Sequence, residues 1–322
     1  MQTRRVLARL FLSLLTLAVP AVGLTQAFPN RPLRIVVASA PGTILDTIAR
    51  TMGPEMAKPL GQPIVVENRP GAQNTIGYEF VAKTAPADGY TLLSVLVQDL
   101  VIMPLTIKGL RFDPLHDLPP VIGTLEARNV LVSPSAAPWK SLDEMVAYGK
   151  ANPGKIAAGG SSNLIKLLSQ QLLKDQLGLD YLYVPYNNAG AYAQALMASD
   201  IQVGIVSISN PTISNPRLRV LAVAGAKRAE ALPDTPTFVE QGRADIRPAS
   251  FSFNVRAGTP AEIVDRLYRV ASTALALPEV RGQFQRLKYD VVNESPETAA
   301  RSLEEQGRIY AEIARKIDLK PE

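Results

Sequence analysis

The chain contains no cysteine, which removes disulfides, thiolate metal sites and thiol catalysis together. It must hold its shape by packing and hydrogen bonding alone. One histidine, His116, cannot build a histidine-rich metal site. It would suffice for a Ser-His-Asp set, but it sits in the proline-rich stretch GLRFDPLHDLPP and reads as a surface or loop residue. There is no GxSxG nucleophile elbow and no GxGxxG fingerprint, and no lysine follows a glycine loop in the Walker manner. The adjacent Glu304 and Glu305 fall in a solvated terminal helix, so paired carboxylates for acid–base work are also missing. No catalytic residue, metal ligand or cofactor is expected.

Basic clusters are equally scarce. The formal charge of +5 includes Arg4, Arg5 and Arg9 near the start, where residues 1–27 hold no acidic residue, so the rest carries 5 − 3 = +2. That is too mild for nucleic acid, and any preference for anions must come from a local site. Those arginines precede the apolar run LFLSLLTLAV, a break at Pro20 and Gly23, and a small residue at Ala27. The pattern is that of a signal peptide covering 1–27, too short and wrongly flanked for a membrane span. Export to the periplasm follows as an expectation.

What remains is long enough for two cores. Short apolar runs alternate with helical patterns: strands at 33–38, 63–68 and 90–95, helices after the first two, and an expected kink or division at Gly53-Pro54. The same grammar returns with strands at 129–135, 155–160, 181–186, 201–207 and 218–225. Ser141 and Glu144 form a capping box for a helix over 141–152, and Gly178 closes another over 162–178. A helix capped by Thr259, with Pro260 in its first turn, is expected over 259–280, with more helix to about Lys316. The fold class is α/β: two lobes, each a mixed, mostly parallel sheet flanked by helices.

In such sheets ligands bind beyond the carboxyl ends of strands. The first such point is ASAPGTILD at 38–46. A strand followed by a Pro-Gly turn and a helix start gathers unpaired amides at the positive end of a helix dipole, a receiver for a carboxylate. Ala40, Pro41, Gly42, Thr43 and Ile44 are candidate contacts, while Thr43 and Asp46 also fit a capping pair. The second is AAGGSSN, with Gly159, Gly160, Ser161, Ser162 and Asn163. Ser94, Gln98, Tyr186, Asn187 and Ser207 follow other strands and complete the ligand-binding candidates. The tyrosines at 181, 183 and 186 read as strand packing, and Trp139 as packing under the next helix.

FPNRPLRIVVASAPGTILDTIAR at 28–50 and GQPIVVENRPGAQNTIGYEFVAKTAPADGYTLL at 61–93 resemble the tripartite tricarboxylate transporter substrate-binding proteins, the Bug-type periplasmic receptors. YGKANPGKI, VPYNNAGAYAQALMASDIQV, LRVLAVAGAKRAEALPDTPTFVEQG and AGTPAEIVDRL continue the resemblance in order. It departs where the family usually has Pro-Gly-Gly and this chain has Pro41-Gly42-Thr43, and where Asn163 stands in place of a histidine. The resemblance implies a monomeric, class II-like receptor, with 28–127 plus 252–322 as lobe 1 and 128–251 as lobe 2, that closes on a small mono- or dicarboxylate, with or without an aromatic ring or amino group. It implies that amides of the loops at 40–46 and 159–163 hold the acid group, and that permease subunits of a tripartite transporter receive the ligand. A sensor that signals without transport, or less readily an α/β enzyme, is the alternative.

Overall fold

Alternation sets the first strand: β1, Leu33–Val37, sends Leu33, Ile35 and Val37 to one apolar cluster and Val36 to another, so both faces are buried. The computed structural model that shows this describes residues 28–161, 171, 174–175, 177–186, 189–225, 227–243 and 248–321. The expected signal segment and most of the expected 162–178 helix lie outside the described residues.

β1 pairs in parallel with β2 (Ile64–Asn68) and with β3 (Thr91–Leu96). Helix α1 (Ile44–Leu60) makes the first crossover. The second is α2 (Thr75–Glu79), continued by a π-helical turn at Phe80–Thr84. Gly53-Pro54 does not divide the helix: α1 runs on through Pro54, which lies on its exposed side. Helix α3 (Val97–Thr106) and the short α4 (Pro114–Asp117) lead to β4 (Pro120–Ala127). His116 is exposed on α4 with Nδ1 2.8 Å from Asp113 Oδ2, a surface residue as expected.

The second sheet is built from β5 (Asn129–Pro134), β6 (Ala157–Ser161), β7 (Leu182–Tyr186), β8 (Val203–Ser207) and β9 (Leu218–Val223), in the order β7-β6-β8-β5-β9. Helix α5 (Leu142–Ala151) follows β5, and α6 (Ala189–Ala198) follows β7. Ser141 caps α5 by accepting the Glu144 N–H, and the Glu144 carboxylate reaches back to the Lys140 N–H at 2.7 Å.

The chain then returns to the first sheet as β10 (Ala249–Asn254), which inserts between β3 and β4. After α7 (Ala261–Ala276) and α8 (Pro278–Arg286), β11 (Asp290–Glu294) pairs with β4, giving the order β11-β4-β10-β3-β1-β2. Helix α9 (Pro296–Lys316), capped by Ser295, ends the fold. The single helix expected over 259–280 is thus two, followed by a strand where helix was expected. Pro278 forces Leu277 to an extended ψ of 132°, which ends α7. Thr259 does not cap α7; its hydroxyl donates to the Arg256 carbonyl.

Both sheets are mixed, with the parallel pairing confined to one half of each. Helices cover both faces: α1, α7 and α8 on one side of the first sheet, α2, α3 and α9 on the other. In the second sheet Trp139 is buried with Met145 and Phe238, its ring 5.1 Å from that of Tyr148 on α5. Its indole N–H donates to Ser133 Oγ at 2.8 Å. Ser133→Ala should therefore strand a buried donor at a cost of roughly 1–3 kcal/mol. Denaturant unfolding followed by emission of this sole tryptophan reads that loss directly.

Candidate functional site

Because β1 pairs in parallel with β2 and β3, the segments following all three leave the first sheet at the same edge. The one after β1 is the most elaborately held. Gly42 takes φ +84°, a left-handed turn in which glycine has no Cβ penalty. Thr43 caps α1: its hydroxyl accepts the Asp46 N–H at 3.4 Å, donates to the Ala40 carbonyl at 3.1 Å and lies 2.7 Å from the Ser39 hydroxyl. Ala40, Pro41 and Gly42 are exposed, while Thr43 and Ile44 are half-buried. Thr43 and Ile44 stand at the cap and first helical positions, where an amide has no intrahelical acceptor.

Asp46 is the anchor of this turn. Only 4% exposed, its carboxylate accepts the Gly42 N–H at 3.0 Å, the Arg50 Nε–H at 3.0 Å and the Asn68 Nδ2–H at 2.9 Å. Asn68 also donates to the Ser39 carbonyl and accepts from Arg50 Nη2 at 2.9 Å. Burial raises the carboxyl pKa, but the donors Arg50, Gly42 and Asn68 outweigh it and hold Asp46 below the usual carboxylate range. The Gly42 amide, expected to be free for a ligand, is therefore occupied by a carboxylate of its own chain.

Two other candidates are drawn into the interior of the first lobe. Ser94 is fully buried, and its hydroxyl donates to the Leu45 carbonyl at 3.0 Å, supporting the first turn of α1 from beneath. Gln98, 2% exposed, donates to the Pro248 carbonyl and to Gln306 and accepts the Ser250 N–H. Both were expected at a ligand; in this structure their polar atoms tie structural elements together.

In the second sheet, β6 runs parallel to β7 and β8, so Ser161, Tyr186 and Ser207 all end strands at one edge. Gly160 and Ser161 lie opposite Pro185 and Tyr186 in register. Gly159 is buried, and a Cβ on it would run into Ile201 and lie 3.1 Å from both Tyr186 and Tyr192. The absent Cβ is what admits these side chains. The Tyr186 ring lies 5.9 Å from that of Tyr192, and its hydroxyl has no partner among the described residues. Ser207 shares a 2.8 Å contact with Ser209 and accepts the Ser209 N–H, a local turn at the end of β8. Ser162, Asn163 and Asn187 lie outside the described residues.

Sequence reasoning missed Arg50 and Asn68. The i, i+4 spacing of Asp46 and Arg50 was a readable sign of the first; Asn68 looked like the last residue of a strand. Among the described residues no group of His, Asp and Glu is placed to hold a metal.

The model of the tripartite tricarboxylate transporter family receptor matches residues 48–319. A UPF0065 protein in the gbd 5′ region of Cupriavidus necator is 32% identical over 289 residues, 87% of each chain. Among solved structures, the periplasmic binding protein BugD superposes with a TM-score of 0.66 at 26% identity, covering 92% of this chain and all of BugD. R. palustris Rpa4515 with adipate gives 0.69 at 27% identity, covering 92% of this chain and 100% of that one. MatC from Rhodopseudomonas palustris with bound malate gives 0.65 at 28%, covering 89% and 99%. The two mixed sheets, the helix-capped turn after β1 and these likenesses agree: the chain belongs to the tripartite tricarboxylate transporter receptor family of periplasmic solute-binding proteins.

Proposed function

We propose that this receptor captures a small mono- or dicarboxylate in the periplasm, after export by its first 27 residues, and performs no reaction on it. One jaw is 28–127 plus 249–322, three residues earlier than the expected 252 because β10 begins at Ala249, and the other is the lobe of the second sheet; the closed form, a monomer, presents the acid to permease subunits of a tripartite transporter. The observation that carries this reading is the pinned turn at the start of α1. Ala40, Pro41 and Gly42 are exposed there, and the amides of Thr43 and Ile44 stand where a helix leaves donors without acceptors. Arg50 and Asn68 offset the Asp46 charge, which would otherwise repel an anion at this point. Gly160, Ser161 and Tyr186 at the edge of the second sheet, with Ser162, Asn163 and Asn187, close the other side. Adipate on Rpa4515 and malate on MatC support a carboxylate as the ligand class.

Thermal-shift measurements on the mature chain with malate, adipate and a panel of mono- and dicarboxylates test the ligand class. A true ligand at a hundredfold excess over its Kd stabilises by about 2.7 kcal/mol. A panel in which no carboxylate raises Tm, or in which the uncharged esters raise it equally, sinks the reading. Gly42→Ala places a side chain at φ +84° where nothing lies within 4 Å, so it strains the turn by roughly 1–2 kcal/mol without a clash. Affinity for the responding carboxylate should fall by about tenfold or more in calorimetry, while the fold survives; unchanged affinity assigns the site elsewhere.

The Asp46 network has its own signature. With a folded-state pKa below the unfolded value, its stabilisation is complete above the unfolded pKa and disappears as pH falls through the folded one. Asp46→Asn should cost roughly 2 kcal/mol at pH 7. The gap between wild type and variant in denaturant titrations should narrow as pH is lowered below about 4.

A further inference from the structure

The chain passes between the two sheets twice. The first passage is one residue long: Arg128 stands alone between the end of β4 at Ala127 and the start of β5 at Asn129. The second is the return from Val223, the end of β9, to Ala249, the start of β10.

The Arg128 side chain takes partners on both sides of this junction. Its Nε–H is bonded to Asp290 on β11, in the first sheet. Its Nη1 donates to the carbonyls of Ala224 at 3.1 Å and Lys227 at 2.7 Å, just past the end of β9 in the second. Gly225, next to the first of these carbonyls, takes φ +110°, and a Cβ there would collide with Nη1. The arginine side chain is only 12% exposed, so its charge cannot leave Asp290 without being stranded. At the far end of the return, Gln98 grips both sides of the re-entry point, donating to the Pro248 carbonyl at 2.9 Å and accepting the Ser250 N–H at 3.1 Å. Other polar contacts join the same two regions, but they are exposed: Gln285 to Glu230, and Lys316 to Asp175 at 3.2 Å. Water can replace these when the regions separate.

We propose that Arg128 is the pivot pin of the receptor: one lobe rotates against the other about this guanidinium, which keeps its partners in both, while the exposed contacts break and reform. Gln98 fixes the point at which the returning strand enters the first lobe. The inference rests on the proposed closing of the two lobes, but not on which ligand closes them.

The cysteine-free chain makes the test clean. Lys108→Cys and Lys155→Cys place one spin label on each lobe at exposed positions, and pulsed electron resonance gives the distance distribution between them without ligand. Arg128→Ala should at least double its width. Arg128→Lys and Asp290→Asn, which keep part of the contact set, should give intermediate widths. Lys316→Ala should leave the width unchanged. Circular dichroism melts establish that each variant is folded at the temperature used. Wild-type widths in folded Arg128→Lys and Asp290→Asn would overturn the pin, even if Arg128→Ala does not fold, as would Lys316→Ala broadening the distribution equally.

Discussion

Parallel pairing on both sides of β1 is the constraint from which the candidate site descends. A strand held in parallel between β2 and β3 must send its chain out at the same edge as theirs, and each must come back through a helix. The turn after β1 therefore has to reverse direction within a few residues and open a helix at once. Gly42 supplies the backbone angle, Thr43 the cap, and Asp46 reaches back to the Gly42 amide. The carboxylate that rigidifies the turn also brings a negative charge to the point proposed to receive an acid. Arg50 on the next turn and Asn68 at the end of β2 answer it, so the neighbouring strand takes part in the electrostatics of the turn.

The elements legible in the sequence were those whose signal is local. β1, β2 and β3 are continuous apolar runs bounded by turn residues, and α5 announced itself through Ser141 and Glu144. The strands that escaped notice, β4, β10 and β11, are all antiparallel and all paired with partners distant in sequence. PVIGTLEA holds a glycine and a proline, ASFSFN mixes serine with phenylalanine, and DVVNE is a short run before a helix. Only the shape of the sheet makes strands of them. Prolines misled in both directions: Pro54 is tolerated on a wet face of α1, while Pro278 splits a helix that apolar periodicity had joined.

For the site, sequence placed the polar residues at strand ends but could not tell which would be satisfied from within. Ser94, Gln98 and Gly159 share the small or polar character of ligand contacts, yet each meets a structural need: a carbonyl of α1, a returning strand, and the rings of Tyr186 and Tyr192. Whether a polar side chain faces a ligand or a carbonyl can depend on neighbours more than a hundred residues away, as the bond from the Gln98 amide to Pro248 illustrates.

The insertion of β10 between β3 and β4 also dictates an order of assembly. The first sheet lacks a central strand until residue 254 exists, whereas every strand of the second sheet lies within 129–223. On a chain emerging from its amino end, the lobe that begins second can finish first, and the earlier strands wait with a gap in their midst. An unfinished sheet exposes apolar surface and unpaired backbone edges, so the opening third of this protein is the part most in need of a chaperone's shelter before the polypeptide is complete.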